Sequence, residues 1–482
     1  MHLNQLINNI HVLEIKGDSA IRITSIGFDS RNITKGQLFI ALSGTRVDGH
    51  HFIDETIDKG ATAIVCEHFP ENLQTKICYI KVADSKKAIG IIASEFYGNP
   101  SRQLKLIGVT GTNGKTTTAT LLYRLFRALG YKTGLLSTVV NFIDGKEMKA
   151  SLTTPDAIQL NHLLADMVDA GCKYCFMEVS SHAIIQGRVG GLHFAGGIFS
   201  NITHEHLDYH KTFDEYIRVK KMFFDSLPSS AFALINVDDR NGNIMIQNTE
   251  AKVKKYSLRT QADYHCRIIE NSFDGMMLNI DGKEFWTSFI GTFNAYNLLA
   301  VYATACLLEA EKEETLRLLS GMQSVAGRFE YVRSKNNIIA IVDYAHTPDA
   351  LQNVLNTINE IRRGEQLITV VGCGGNRDKS KRPIMACIAV NNSSKAIFTS
   401  DNPRFEEPDA ILEDMRAGLN AAQRSKMLMI TDRREAIRTA AMLAQTGDII
   451  LIAGKGHEDY QEVKGIKTHF DDKEIIKEMM EG

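Results

Sequence analysis

Apolar positions along this chain fall in two recurring patterns: short continuous runs, and longer stretches in which apolar residues return every three or four positions. The first reads as strands covered on both faces, the second as helices with one buried face. Up to about residue 97, runs at 37–42 and 62–66 read as strands, with helical patterns before Gly60 and over 85–97. Gly98-Asn99-Pro100-Ser101 breaks the last of these. Further on, runs at 106–109, 133–138, 174–179, 194–200 and 231–237 read as strands, and an apolar helix covers 298–308. After Gly327 the alternation resumes, with strands over 338–342, 367–371, 396–399, 427–430 and 448–453. Strands alternating with helices imply mainly parallel sheets with ligands at the carboxyl ends of the strands. The expected class is α/β in three domains. Residues 1–99 form a small α/β unit, 100–326 a unit with a mainly parallel sheet, and 327–482 a second doubly wound, Rossmann-like unit. A length of 482 residues agrees, because it exceeds what one core organises.

The stretch Val109-Thr110-Gly111-Thr112-Asn113-Gly114-Lys115-Thr116-Thr117 lies between a strand run and a helix carrying Leu121, Leu122, Leu125, Phe126 and Leu129. Strand, glycine loop and helix is the arrangement that cradles phosphates: backbone N–H groups approach the anion, and lysine neutralises its end. Thr116 is placed to hold magnesium through its hydroxyl. Val109 stands where the usual phosphate-loop pattern has an earlier glycine. The flanking elements still make this a nucleoside triphosphate site rather than a turn with a solvated lysine.

Composition narrows the class. Hydrophobic residues at 44% and charged residues at 23% describe a globular protein, and a net charge of −2 argues against bulk nucleic-acid binding. No apolar run approaches membrane-spanning length, and the N-terminus lacks signal-peptide features, so the cytoplasm is the expected location. Cys172 and Cys175 have metal or redox spacing, but no second pair stands nearby and they lead into an apolar strand, so they read as buried thiols.

Polar clusters follow the central strands: Thr153-Thr154-Pro155, Glu178-Val179-Ser180-Ser181-His182, and Asn201 to His210. Glu178 suits magnesium, which takes one or two carboxylates beside phosphate oxygens and waters. His204, His206 and His210 leave a zinc reading open, although no general-base signature accompanies them. A helix over 213–227 carries Lys220 and Lys221, between which sequence physics does not choose. Asn294 reads as an N-cap or a ligand contact, and Asn297, one turn on, could hydrogen-bond a nucleobase. In the third domain, loops at Asp343–His346, Gly372–Lys379, Asp401–Arg404 and Gly454–Glu458 all follow strands and together imply a ligand crevice.

These motifs together resemble the Mur ligases, the ATP-dependent amide-forming enzymes of bacterial peptidoglycan synthesis, over essentially the whole chain. Gly111 to Thr117 is similar to the family's phosphate loop, including the missing earlier glycine. The resemblance implies an ATP-binding set of Gly111, Thr112, Asn113, Gly114, Lys115, Thr116, Thr117, Asn294, Asn297, Arg328, Asp343 and His346. It implies Thr116, Glu178, His206 and Lys220 around two magnesium ions, with Lys220 carried as a carbamate. Lys115, Lys220 and His206 are then the catalytic group; the choice of Lys220 over Lys221 comes from the resemblance alone.

Within the family the motifs match the MurE type, which adds the third residue of the stem peptide. Phe28, Ser30, Thr45, Arg46 and Val47 resemble its site for the uridine nucleotide, and Thr153, Thr154, Ser180, Gln186 and Arg188 its muramoyl-dipeptide contacts. Asp401-Asn402-Pro403-Arg404 has the form of enzymes that use meso-diaminopimelate. Arg377 and Arg404 would clamp the distal carboxylate, and Gly454 and Glu458 would take the distal ammonium. Glu205 and Leu152 depart from the usual residues at their positions. The expected partners are small molecules only (ATP, the UDP-muramoyl dipeptide and the amino acid), and the expected state is a monomer. Alternatives are a lysine-adding ligase, a folylpolyglutamate synthetase, or a P-loop ATPase switch that makes no bond.

Overall fold

The computed structural model describes residues 1–44, 47–150, 152–203, 210 and 212–481. Among the described residues, three main sheets form, each lying within one of the three stretches read from the sequence. The first has five strands in the spatial order Val12–Lys16, Cys78–Val82, Ala63–Cys66, Gln37–Ile40, Ser25–Gly27, parallel except at the Val12–Lys16 edge. Ala63–Cys66 and Gln37–Ile40 are buried at every position, which is why they read as runs that are apolar but for Gln37.

The second sheet has eleven strands. Seven of them run parallel, in the order Tyr264–Ser272, Lys252–Ser257, Phe232–Asn236, Gly196–Phe199, Lys105–Thr110, Tyr174–Glu178, Thr133–Leu136. Antiparallel hairpins extend both edges, Val140–Ile143 with Lys146–Lys149 and Gly275–Ile280 with Lys283–Thr287. Helices Lys115–Ala128 and Thr292–Leu307 pack one face through Leu122, Phe126, Leu298 and Val301, while Ala157–Asp169 and Phe213–Asp225 cover the other through Leu160, Leu164 and Phe223. Two buried layers hold the sheet rigid, so the loops leaving its carboxyl ends start from fixed positions.

The third sheet orders Glu330–Arg333, Ile339–Asp343, Ile449–Ala453, Leu367–Val371, Lys395–Phe398, Met427–Met429, parallel except for the first. A separate hairpin, Tyr460–Val463 with Ile466–His469, bridges from Val463 to Arg404. No helix among the described residues is long and apolar enough to cross a membrane.

Candidate active site

The loop after Lys105–Thr110 carries Gly111 at φ +151° and Gly114 at φ +87°. A Cβ at Gly111 would lie 2.0 Å from Ser200 Oγ, and one at Gly114 would lie 2.5 Å from Asn297 Oδ1, so both backbone angle and space require glycine. The loop is braced from the next strand end. Asn201 accepts the Thr112 N–H on its carbonyl at 2.8 Å and the Asn113 N–H on its side chain at 2.9 Å, while Ser200 Oγ donates to Asn113 O at 2.6 Å. Asp156, Thr212, Thr347 and Asp432 cap their helices with side-chain oxygens, but no described side chain caps Lys115–Ala128. Its first-turn N–H groups are therefore left to an anion in the cavity that Gly114 to Thr117 line. Lys115 Nζ donates to Gly111 O at 2.9 Å and Thr112 O at 2.7 Å, holding its ammonium at the loop.

Glu178 ends the neighbouring strand and is 1% exposed. Its Oε1 accepts from Thr116 Oγ1 at 2.9 Å, Thr138 N–H at 2.7 Å and Thr138 Oγ1 at 3.0 Å. Its Oε2 is buried with no hydrogen-bond partner. A buried carboxylate oxygen without a donor is costly, and a divalent cation held jointly with the Thr116 hydroxyl would relieve it. The residues present therefore fit magnesium.

Lys220 and Lys221 separate clearly. Lys220 is 1% exposed, donates to Gly111 O at 2.8 Å and lies over the Tyr216 ring, placing its nitrogen at the phosphate loop. Lys221 instead pairs with Asp225 one turn along its helix at 2.7 Å. His206 lies outside the described residues, as do Thr45 and Arg46 and two of the three histidines of the zinc alternative, His204 and His206. His210 is buried with Nε2 2.9 Å from Ser181 Oγ. One other group among the described residues has metal-ligand chemistry, Asp48 with His50 and His68. Both nitrogens of His50 are already engaged, Nδ1 with Asp48 at 2.6 Å and Nε2 with the Glu67 N–H at 2.9 Å.

The helix carrying Asn294 is capped by Gly291 and begins at Thr292, so Asn294 is in its first turn and not at the N-cap. Asn294 Nδ2 donates to Ile290 O at 2.9 Å and its Oδ1 accepts from Asn297 Nδ2 at 3.2 Å. From the third sheet, Arg328 reaches across to Thr116 Oγ1 at 3.2 Å and lies over the Tyr344 ring, linking that unit to the phosphate loop. Asp343 accepts the Phe329 N–H at 2.7 Å, and burial pushes its carboxyl up to about 6 against the pull of Arg328. His346 Nδ1 lies 2.8 Å from Tyr344 O. His457, its ring 4.9 Å from that of Tyr344, is pushed down to about 4 by burial and Arg328, so it is neutral at neutral pH.

The dipeptide set forms one hydrogen-bonded patch. Thr153 Oγ1 lies 3.1 Å from Thr138 Oγ1, and Thr154 Oγ1 donates to Glu178 O at 2.9 Å and accepts the Ser180 N–H. Arg188 donates to Thr154 O at 2.7 Å and holds Gln186 Oε1 through two nitrogens. In the amino-acid set, Arg404 stands at φ +54°, a left-handed angle unusual outside glycine, fixed by its N–H to Glu462 O and by Lys464 N–H to its own carbonyl. Its guanidinium donates to Gly375 O at 2.8 Å and lies 3.7 Å from Glu462. Asn402 Nδ2 donates to Glu458 Oε2 at 2.7 Å.

A single cavity of about 1250 Å³ joins these groups: Lys115, Glu178, Lys220, Asn297, Arg328 and His346 at one end, Thr153, Thr154, Ser180 and Arg188 beside them, and Arg377, Asp401, Asn402, Arg404, Gly454 and Glu458 at the other. Phe28, Ser30 and Val47, on the first unit, do not line it; neither do Gly111, Asn294, Gln186 and Pro403. Phe28 and Val47 are exposed on their own surface.

Three family models match the chain: Mur ligase family, catalytic domain over residues 22–97, Mur ligase middle domain over 109–305, and Mur ligase, glutamate ligase domain over 327–456. A Cytophaga hutchinsonii protein named UDP-N-acetylmuramoyl-L-alanyl-D-glutamate–2,6-diaminopimelate ligase is 58% identical, across 100% of this chain and 99% of its own. A Clostridium botulinum protein of the same name is 41% identical over the same shares. A solved structure bearing that name superposes with a TM-score of 0.70 at 32% identity, covering 100% of this chain and 98% of that one. With all three units matched and identity this high over the full length, the chain belongs to the Mur ligase family.

Proposed function

We propose that this protein is an ATP-dependent amide ligase of peptidoglycan precursor synthesis, joining meso-2,6-diaminopimelate to UDP-N-acetylmuramoyl-L-alanyl-D-glutamate with release of ADP and phosphate. The observation that carries this reading is the continuous cavity running from the phosphate loop to a pocket with two arginines, Arg377 and Arg404. A P-loop switch has no use for that second pocket. Diaminopimelate has a second carboxylate for the arginines to bind, which lysine lacks.

A carboxylate does not condense with an amine, because its carbon is a poor electrophile and oxide does not leave. Phosphorylation by ATP gives an acyl phosphate; the amine then attacks the carbonyl carbon, and phosphate departs from the tetrahedral intermediate. Lys115 and the uncapped helix N-terminus stabilise negative charge on the transferring phosphoryl group. Thr116 and Glu178 would hold magnesium, with His206 as a further ligand. A carbamate, formed if the neutral Lys220 amine adds carbon dioxide and loses a proton, would hold a second ion. Bound magnesium supplies charge neutralisation at the phosphates. Arg328, Asp343, His346, Asn294 and Asn297 position ATP. Thr153, Thr154, Ser180, Gln186 and Arg188 hold the dipeptide, and Phe28, Ser30, Thr45, Arg46 and Val47 anchor the uridine nucleotide. Rotation of the third unit onto the central one, through the Arg328–Thr116 contact, would exclude water from the acyl phosphate. The enzyme acts as a cytoplasmic monomer in this reading.

The test is isotopic. With ¹⁸O in the D-glutamyl carboxylates, an acyl phosphate transfers one ¹⁸O to the released phosphate. Unlabelled phosphate accompanying product formation contradicts the mechanism.

A further inference from the structure

Glu458, the expected partner of a substrate ammonium, already has an internal cation. Lys455 is fully buried, with Nζ 3.3 Å from Glu458 Oε2 and 3.2 Å from Asn402 Oδ1. Asn402 completes the triangle through its Nδ2, and its Oδ1 also accepts the Glu462 N–H at 2.9 Å, which fixes the amide orientation. The Tyr460 ring lies beside the ammonium, 5.4 Å from Nζ. Oε2 of Glu458 is thus occupied from inside the protein. Oε1 faces the Tyr344 hydroxyl at 3.5 Å, and Glu458 lines the cavity although Lys455 does not.

The charges at this end of the cavity balance. Arg377, Arg404 and Lys455 stand against Asp401, Glu458 and Glu462. Asp378 in the Arg377 loop and Lys381 at the start of the helix that follows are of opposite sign and leave the balance unchanged. An electrically neutral pocket suits the end of an amino acid that carries both an ammonium and a carboxylate. It disfavours an end that carries an ammonium alone, because that brings an unmatched positive charge into a partly buried space.

We propose that Lys455 is a specificity-determining positioning residue. By engaging Oε2 it holds Glu458 with Oε1 toward the substrate, and by cancelling the Glu458 charge it keeps the pocket neutral, so that a zwitterionic distal end is preferred over a cationic one. This rests on the ligase reading above.

The experiment compares kcat and KM for meso-diaminopimelate and L-lysine in the full-length enzyme, in Lys455→Met and in the double variant Lys455→Met/Glu458→Gln. KM for ATP reports on the intact phosphate site. In Lys455→Met the KM for diaminopimelate rises more than kcat falls, and the preference over lysine drops at least tenfold. Lys455→Arg, which keeps the charge, retains most of the preference. The double variant, neutral again and without a buried unpaired carboxylate, recovers preference relative to Lys455→Met. An unchanged preference in Lys455→Met overturns the proposal. So does a double variant no more selective than the single one, and this arm applies even where Lys455→Met yields little folded protein, since an undetectable single variant beside an unselective double one counts against the charge balance. A wild-type enzyme that turns over lysine as readily as diaminopimelate refutes the underlying substrate reading instead.

Discussion

Glu178→Gln separates a metal-ligand role from a structural one. The side chain is 1% exposed, and Oε1 serves three donors while Oε2 has none. Glutamine keeps an acceptor for the three donors and puts a neutral amide where the partnerless carboxylate oxygen stands, which is less costly to bury. An unsatisfied buried group costs about 1–3 kcal/mol, more when charged. Removing the charge should therefore leave the ligand-free protein as stable as before, or more stable by up to about 2 kcal/mol. At roughly 2–4 °C per kcal/mol that is a melting temperature unchanged or raised by up to ~8 °C. Ligand-linked stabilisation should behave in the opposite way. Magnesium with a non-hydrolysable ATP analogue, at about 100 times its Kd, adds roughly 2.7 kcal/mol to the wild type, and the variant should lose most of it. Differential scanning fluorimetry with and without magnesium and analogue reads both arms. A variant that melts well below wild type without ligand, yet keeps its full ligand shift, would make Glu178 a structural acceptor and not a metal ligand.

Other outcomes follow from the same geometry. Lys220→Met should cut activity at least ~100-fold, the loss typical of removing an oriented charge at a phosphoryl-transfer site, whereas Lys221→Met removes only a partly exposed i,i+4 pair worth ~0.3–0.5 kcal/mol; steady-state ADP release compares the two. Asp343 titrates higher folded than unfolded, so the native state holds its proton more tightly and stability falls as pH rises from about 4 to about 6. Asp343→Asn should flatten that fall and gain on the order of 2–3 kcal/mol over wild type at pH 7 but not at pH 3, read by urea melts at each pH. Arg433 binds Asp472 through two nitrogens at 2.8 and 2.7 Å and also donates to Ser400 O and Ala453 O, the carbonyls just before Asp401 and Gly454. Arg433→Met should cost about 3–5 kcal/mol by leaving Asp472 buried and unpaired, and Arg433→Met/Asp472→Asn should recover much of that in the same melts.

The fully buried strands were legible because burial on both faces leaves an unbroken apolar run. Leu367–Val371 coincides with its expected range, and Ile449–Ala453 starts one residue later than expected. The edge hairpins Val140–Ile143 with Lys146–Lys149 and Tyr460–Val463 with Ile466–His469 were not legible, since half-exposed edges carry Asn, Lys, Glu and Gln that break the run. The phosphate loop was legible through its local spacing. Lys455 was not, because a lysine in a glycine loop reads as solvated until the fold brings Asn402 and Glu458 around it. Likewise, nothing in the sequence distinguishes Lys220 from Lys221; the helix decides by turning one inward to Gly111 and the other toward Asp225.

The most direct test is phosphate release with ATP, magnesium and UDP-N-acetylmuramoyl-L-alanyl-D-glutamate, adding meso-diaminopimelate or L-lysine in parallel. Release should depend on diaminopimelate and stay near background with lysine. Release indifferent to either amino acid would contradict the ligase reading and leave an ATPase that makes no bond.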